Sequence, residues 1–190
     1  MTAGGLKEVN NPSEIFFGNS DGETASGTAN TIVMEGSRPF LVEVQALVGK
    51  TAFGYPQRRA TGFDLNRLQM IIAVISKVAK INLASHDVYL NIAGGLKVKE
   101  TATDLAVCLA IVSAFLDLPI NKKVLIFGEI GLSGEVRAVA QTESRLKEAN
   151  KMNFNPVIMP ETKNMNIGGQ NMNIVAVGSI SQAIKAINTQ

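Results

Sequence analysis

Tryptophan is absent from this 190-residue chain, and cysteine and histidine occur once each. A single cysteine excludes an internal disulfide and a cysteine-built zinc site. Cys108 lies in an apolar run and reads as a core residue. The lone histidine, His86, has no visible cluster of partners and reads as a surface loop residue, not a ligand or base. No apolar run reaches the roughly 18 residues of a membrane span, and no basic-then-apolar leader opens the chain. The expectation is a soluble, cytoplasmic protein with no membrane partner. Charge is also sparse, at 18% of residues beside 46% apolar ones. That balance excludes a disordered or fibrous chain and leaves a globular one with enough residues for one good core.

The net charge of +2 hides an asymmetry. Residues 1–30 carry Lys7 against Glu8, Glu14, Asp21 and Glu23, a net −3, so the rest of the chain is +5. Such an excess is compatible with nucleic acid and equally with ordinary solubility. The same 30 residues are rich in Gly, Asn, Ser and Thr around one apolar knot, Ile15-Phe16-Phe17, with a turn at Asp21-Gly22. They read as a linker arm, which suggests a chain cut from something larger, with the folded domain over 31–190.

The pattern beyond the arm alternates strands and helices. Thr31–Met34 and Pro39–Val48 read as adjacent strands, the second with Leu41, Glu43, Gln45 and Leu47 on one face. Gly49–Gly62 reads as a loop. Asp64 caps a helix whose Leu65, Leu68, Ile71, Ile72, Ile75 and Val78 fall three or four apart. Asp87–Ala93 is a strand, and 102–116 a helix apolar nearly all round, hence deeply buried. Val124–Phe127 is a short buried strand, followed by a turn at Gly131-Leu132-Ser133-Gly134, a second short strand through Val136 and a helix over 142–150. Pro156–Pro160 and Ile174–Val177 are strands flanking an Asn/Gly-rich loop, and Ile180–Ile187 a closing helix. Interleaving of this kind predicts α/β or α+β packing in at least two layers.

Several stretches together resemble a known family. GEIGLSGEVRAV, the helix RLKEA and the strand PVIMP are similar to the proteolytic domain of Lon-type proteases. With GLKEVNNPSEIFF, EGSRPFLVEVQALV, GYPQRRATGFDLNRLQMIIAVISK and DVYLNIAGGLKVKETATDLAVCLAIVSA, they resemble more closely the Lon-like C-terminal domain of the RadA (Sms) family of bacterial DNA-repair proteins. The resemblance implies a Lon-protease proteolytic-domain fold, like domain 2 of ribosomal protein S5. It also implies a parent with a zinc finger and a RecA-like ATPase using ATP and Mg. The chain has no GxxxxGK[ST] phosphate loop and one cysteine, so no cofactor and no enzyme activity are expected of this fragment.

Lon-type proteases use a serine and a lysine, the lysine acting as base once burial lowers its pKa. Alignment to their runs puts Thr103 at the serine and Glu143 at the lysine. A carboxylate there is too weak a base at neutral pH to activate a threonine. The alternative role for Thr103 is an N-cap for the buried helix, with Asp104 set favourably against the helix dipole.

Five basic residues are candidates for phosphate contact: Arg58 and Arg59 in the Gly/Pro loop, Arg67 on the first helix, and Lys97 and Lys99 after Gly94-Gly95. They read as having no aromatic interleaved with them, so base stacking is not expected. The expected function is a non-catalytic scaffold that forms a ring (hexameric in the family) and contacts single-stranded or branched DNA, with a recombinase as a further partner. A degenerate peptidase or peptide-binding module, and a pure oligomerisation element, are the alternatives.

Overall fold

A computed structural model describes residues 25–52, 54–162 and 172–188. The apolar knot at 15–17, the turn at 21–22 and most of the Asn/Gly-rich loop lie outside the described residues. The strands are β1 (Thr28–Glu35), β2 (Arg38–Lys50), β3 (Arg58–Thr61), β4 (His86–Ile92), β5 (Leu125–Ile126), β6 (Glu129–Ile130), β7 (Val136–Arg137), β8 (Val157–Pro160) and β9 (Ile174–Val177). The helices are α1 (Leu65–Val78), α2 (Asp104–Leu116), α3 (Thr142–Lys151) and α4 (Ile180–Asn188).

Seven strands form one sheet in the order β3-β4-β2-β1-β5-β8-β9, while β6 and β7 make a separate small hairpin. The β1–β2 and β2–β4 pairs are antiparallel; β1–β5, β3–β4, β5–β8 and β8–β9 are parallel. The protein is therefore mixed α/β with a mostly parallel sheet, consistent with the expected class. Three features differ from expectation: β1 starts at Thr28, inside the stretch read as a linker arm, β6 precedes the turn at 131–134 where no strand is expected, and β3 lies inside the segment read as a loop. Four residues, two of them arginine, give no apolar alternation to detect, and β3 is a strand because β4 offers it a parallel edge.

Period-two alternation divides the sheet's side chains between two faces. Ala29, Val33, Val42 and Val44 enter the cluster beneath α1, α2 and α4, whereas Ile32 and Leu41 enter the cluster beneath α3. Ten of the thirteen α2 residues are buried, which makes it the helix that anchors the first layer. At about 1.5–3 kcal/mol for each large apolar side chain buried, Leu105, Val107, Leu109, Ile111 and Val112 of α2 contribute as much as Leu68, Ile71, Ile72, Val74 and Ile75 of α1. Helix α3 covers only part of the second face: Leu41 lies under it, but Gln45 and Leu47, farther along the same side of β2, are exposed.

Candidate nucleic-acid interface

The two adjacent arginines separate at once. Strand alternation turns Arg58 inward and Arg59 outward. Arg58 donates to the carbonyls of His86, Leu83 (2.7 Å) and Gln57 (3.1 Å). Burial lowers its pKa, opposed by the charge of Asp87. Asp87 Oδ1 in turn accepts from Gln57 N and Thr51 Oγ1, both at 2.8 Å, and these bonds hold its carboxyl below the usual range. Arg58 is thus a clamp on the start of β3, which corrects its reading as a phosphate contact. Arg59 is exposed, and its side chain has no partner among the described residues.

Arg67 is likewise committed. Its Nε donates to Asp104 Oδ1 at 2.5 Å and its Nη2 pairs with Oδ2. Asp104 is fully buried at the first turn of α2, where Ile130 N also donates to Oδ2 at 3.2 Å. Burial raises the Asp104 carboxyl and the guanidinium draws it back, while the bond to Asp104 raises Arg67. Desolvation explains the assignment: a carboxylate at 0% exposure needs a bidentate cation. The expectation that Arg67 serves phosphate is corrected accordingly.

Lys97 and Lys99 flank buried Val98 in an extended segment, 96–100, outside the named strands. Val98 N donates to the Gly62 carbonyl at 2.8 Å, which fastens the segment to the end of β3. Gly62 sits at φ +76°, and a Cβ there would overlap the Leu96 carbonyl and the Ile92 side chain. Only glycine allows so close an approach. A groove of about 510 Å³ lies on one side of the segment, lined by Val33, Met34, Glu35 and Phe40. Another of about 450 Å³ lies on the other, lined by Gly62, Phe63, Asp64 and Arg67.

Glu100 fixes the far end of this segment. It accepts from Met34 N (2.9 Å) and from Arg145 Nη1 (3.1 Å) and Nη2 (2.6 Å). Arg145 is 1% exposed, donates also to the carbonyls of Ile32 and Ala140, and lies over the Phe127 ring at 5.9 Å. Sequence reasoning missed this anchor. Its partners stand 45 positions apart, and an arginine in a polar helix start looks solvated.

Three of the five candidate cations therefore remain without side-chain partners among the described residues: Arg59, Lys97 and Lys99. Three residues of extended chain separate Arg59 from Gly62, about 10 Å, and the Gly62–Val98 bond adds only one hydrogen-bond length. The segment with the two lysines thus starts beside the end of β3 and runs toward β1, where Glu100 accepts from Met34 N. Register also places Tyr89 directly beside Arg59, so the sequence reading of no interleaved aromatic is corrected: β4 supplies one from 30 positions away.

The two positions aligned with the Lon dyad differ in exposure. Thr103 is fully buried at the head of α2, and its Oγ1 makes no cap bond and has no partner. Glu143 is exposed in the first turn of α3. The N-cap role expected of the Thr103 hydroxyl is corrected, because a preceding 3-10 turn (Thr101–Thr103) gives the residue helical backbone angles.

Comparison with known proteins gives the family. Residues 46–163 match the family described as subunit ChlI of Mg-chelatase, well over half of the chain. The chain belongs to that family. It is also similar to proteins named DNA repair protein RadA. Identity is 44% for that of Synechocystis and 47% for that of Rickettsia bellii, covering 97% and 87% of this chain. For that of Escherichia coli it is 40%, covering 99%. The chain spans 36%, 37% and 41% of those relatives, about two-fifths of their length. Membership in the ChlI family corrects the expectation that the fragment has no part in enzyme activity, since the family is named for a subunit of an enzyme. Among the described residues no group of three or more His, Cys, Asp or Glu is placed to hold a metal ion. No helix among them is long and apolar enough to cross a membrane.

Proposed function

We propose that this chain is the DNA-holding part of a RadA-type repair enzyme, related in fold to the Lon proteolytic domain. Arg59, Lys97 and Lys99 are its phosphate contacts. The observation that carries the reading is the Gly62–Val98 hydrogen bond, which holds the segment with unpartnered Lys97 and Lys99 against the end of the strand that carries unpartnered Arg59. The names of the relatives support a repair context. Glu35 on the far wall of the larger groove directs a phosphate backbone toward the β3 side.

The test is a binding titration with labelled DNA at about 50 and 200 mM salt. Three contacts predict a log–log slope of up to about −2.7 on duplex or about −2.1 on single strands. Changing Arg59, Lys97 and Lys99 together to alanine should flatten that slope and weaken binding alike across sequences. A triple variant that binds as the parent does at both salts would sink the reading.

A second role, self-association into a ring, is favoured by the rim around the Arg67–Asp104 pair. Leu65 and Met70 (each 41% exposed) and Leu132 (71% exposed) are large apolar side chains left in water, and Met70 and Leu132 line one shallow pocket there. Light scattering that finds only monomer at high concentration would remove this role from the chain.

A further inference from the structure

The uncovered part of the sheet's second face has a definite composition. Beyond the reach of α3, register aligns Arg59, Tyr89 and Leu47 in one row across β3, β4 and β2, and Thr61, Asn91 and Gln45 in the next. All six are exposed. Leu47 is 66% and Tyr89 38% exposed, so one row is a cation, an aromatic ring and an aliphatic side chain at strand spacing, about 4.8 Å apart. The polar row is ordered from within: Asn91 Nδ2 donates to Gln45 Oε1 at 3.0 Å, and Gln45 Nε2 to Glu43 Oε1 at 2.6 Å. Nothing among the described residues covers this face.

We propose that this face is a stacking platform for one or two unpaired bases, so that the DNA it takes is single-stranded. Tyr89 and Leu47 receive the base, and Arg59 takes the adjoining phosphate. The inference rests on the reading of Arg59, Lys97 and Lys99 as phosphate contacts, because the platform continues that strip. Arg59 belongs to both, and its strand leads to Gly62 and the two lysines. Two observations favour a base over an apolar protein partner. The cation sits beside the ring, and both carboxylates on this face are engaged: Glu43, two strands from Arg59, by Gln45, and Asp87, two residues before Tyr89 on β4, by Thr51 and Gln57 N. A duplex buries its base faces and cannot use a flat aromatic in this way, whereas an unpaired base of any identity can.

The composition of the chain supplies a clean probe. It has no tryptophan and two tyrosines, Tyr55 and Tyr89. Tyr55 is 84% exposed in the loop before β3, so a Tyr55→Phe chain reports on Tyr89 alone. Its fluorescence should be quenched by an oligothymidylate and not by an abasic oligomer of equal length and charge. The oligothymidylate should bind tighter than the abasic strand by on the order of tenfold, as a single stacked base allows. Tyr89→Leu should abolish that difference and Tyr89→Phe should keep it, which guards against a folding defect. Equal affinity for the two oligomers, with no quenching and no effect of Tyr89→Leu, overturns the platform while the salt-dependent strip stands. Failure to retain either oligomer overturns both. If Tyr89→Leu instead dissociates an oligomer of the chain and leaves DNA binding unchanged, the face belongs to a second copy and the proposal is overturned.

Discussion

Arg67→Ala separates the structural assignment of this residue from the phosphate role its sequence suggests. The substitution leaves Asp104 with one donor, Ile130 N, at a site with 0% exposure. Breaking a buried pair by removing one partner costs roughly 3–5 kcal/mol. Arg67 is 24% exposed, so water entering the vacated volume recovers part of that, and about 2–3 kcal/mol is expected. For a domain of this size that corresponds to a fall in Tm of about 5–10 °C, with an unchanged denaturant m-value. The pH dependence has a definite sign. Burial raises the Asp104 carboxyl, and loss of the guanidinium removes the influence that opposed the rise. A raised carboxyl favours the protonated fold, so its stability is fully present below the unfolded value of about 3.9 and is lost as pH rises through the folded value. The deficit of the variant should therefore narrow on acidification and widen toward neutrality. Replacing both partners by apolar residues, Arg67→Met with Asp104→Leu, should restore most of the loss. Urea denaturation at several pH values measures all of this. A Tm within about 1 °C of the parent, together with weakened DNA binding, would return Arg67 to the phosphate contacts and refute the argument.

What could be read from the sequence was set by periodicity. The stripe of α1, the alternation of β2 and the all-apolar α2 are one-dimensional patterns created by burial, and Asp64 does accept from Arg67 N at 2.8 Å as a cap. The starts of β9 and α4 held for the same reason, falling where their apolar residues begin, whereas β1 starts three residues before the expected Thr31 and β4 one residue before the expected Asp87. The site was less legible because pairing across the sheet carries no local signal. Arg58 and Arg59 are identical in type and adjacent in sequence, yet one closes on three carbonyls and the other faces solvent. Only the register of β3 on β4 decides which. Arg67 looked free because its partner lies 37 positions away, and Tyr89 looked remote from the arginines for the same reason. Charge pairs that close over long loops are found by folding the chain, not by scanning it.

Two further substitutions test the packing around the strip. Thr103→Val replaces a buried hydroxyl that has no partner by a methyl of similar volume. It should be neutral or stabilising by up to about 1–2 kcal/mol, and a clear loss in thermal denaturation would mean that the hydroxyl has a partner in solution. Gly62→Ala acts on the strip itself. At φ +76° an alanine is strained by about 1–2 kcal/mol before its Cβ meets the Leu96 carbonyl and Ile92, so a total of about 2–4 kcal/mol is expected. Relief of that overlap must move segment 96–100 away from β3, because Ile92 is locked in β4 and 1% exposed. The Val98–Gly62 bond is then the contact that yields, and Lys97 and Lys99 move off the line of Arg59. The control is a variant of comparable cost away from Gly62, Leu146→Ala, whose side chain lies in the α3 cluster. At a temperature where both variants are folded, Gly62→Ala should lose DNA affinity and Leu146→Ala should not. Equal affinity in the two would mean that the three cations act independently and that their alignment by the Gly62–Val98 bond contributes nothing to binding.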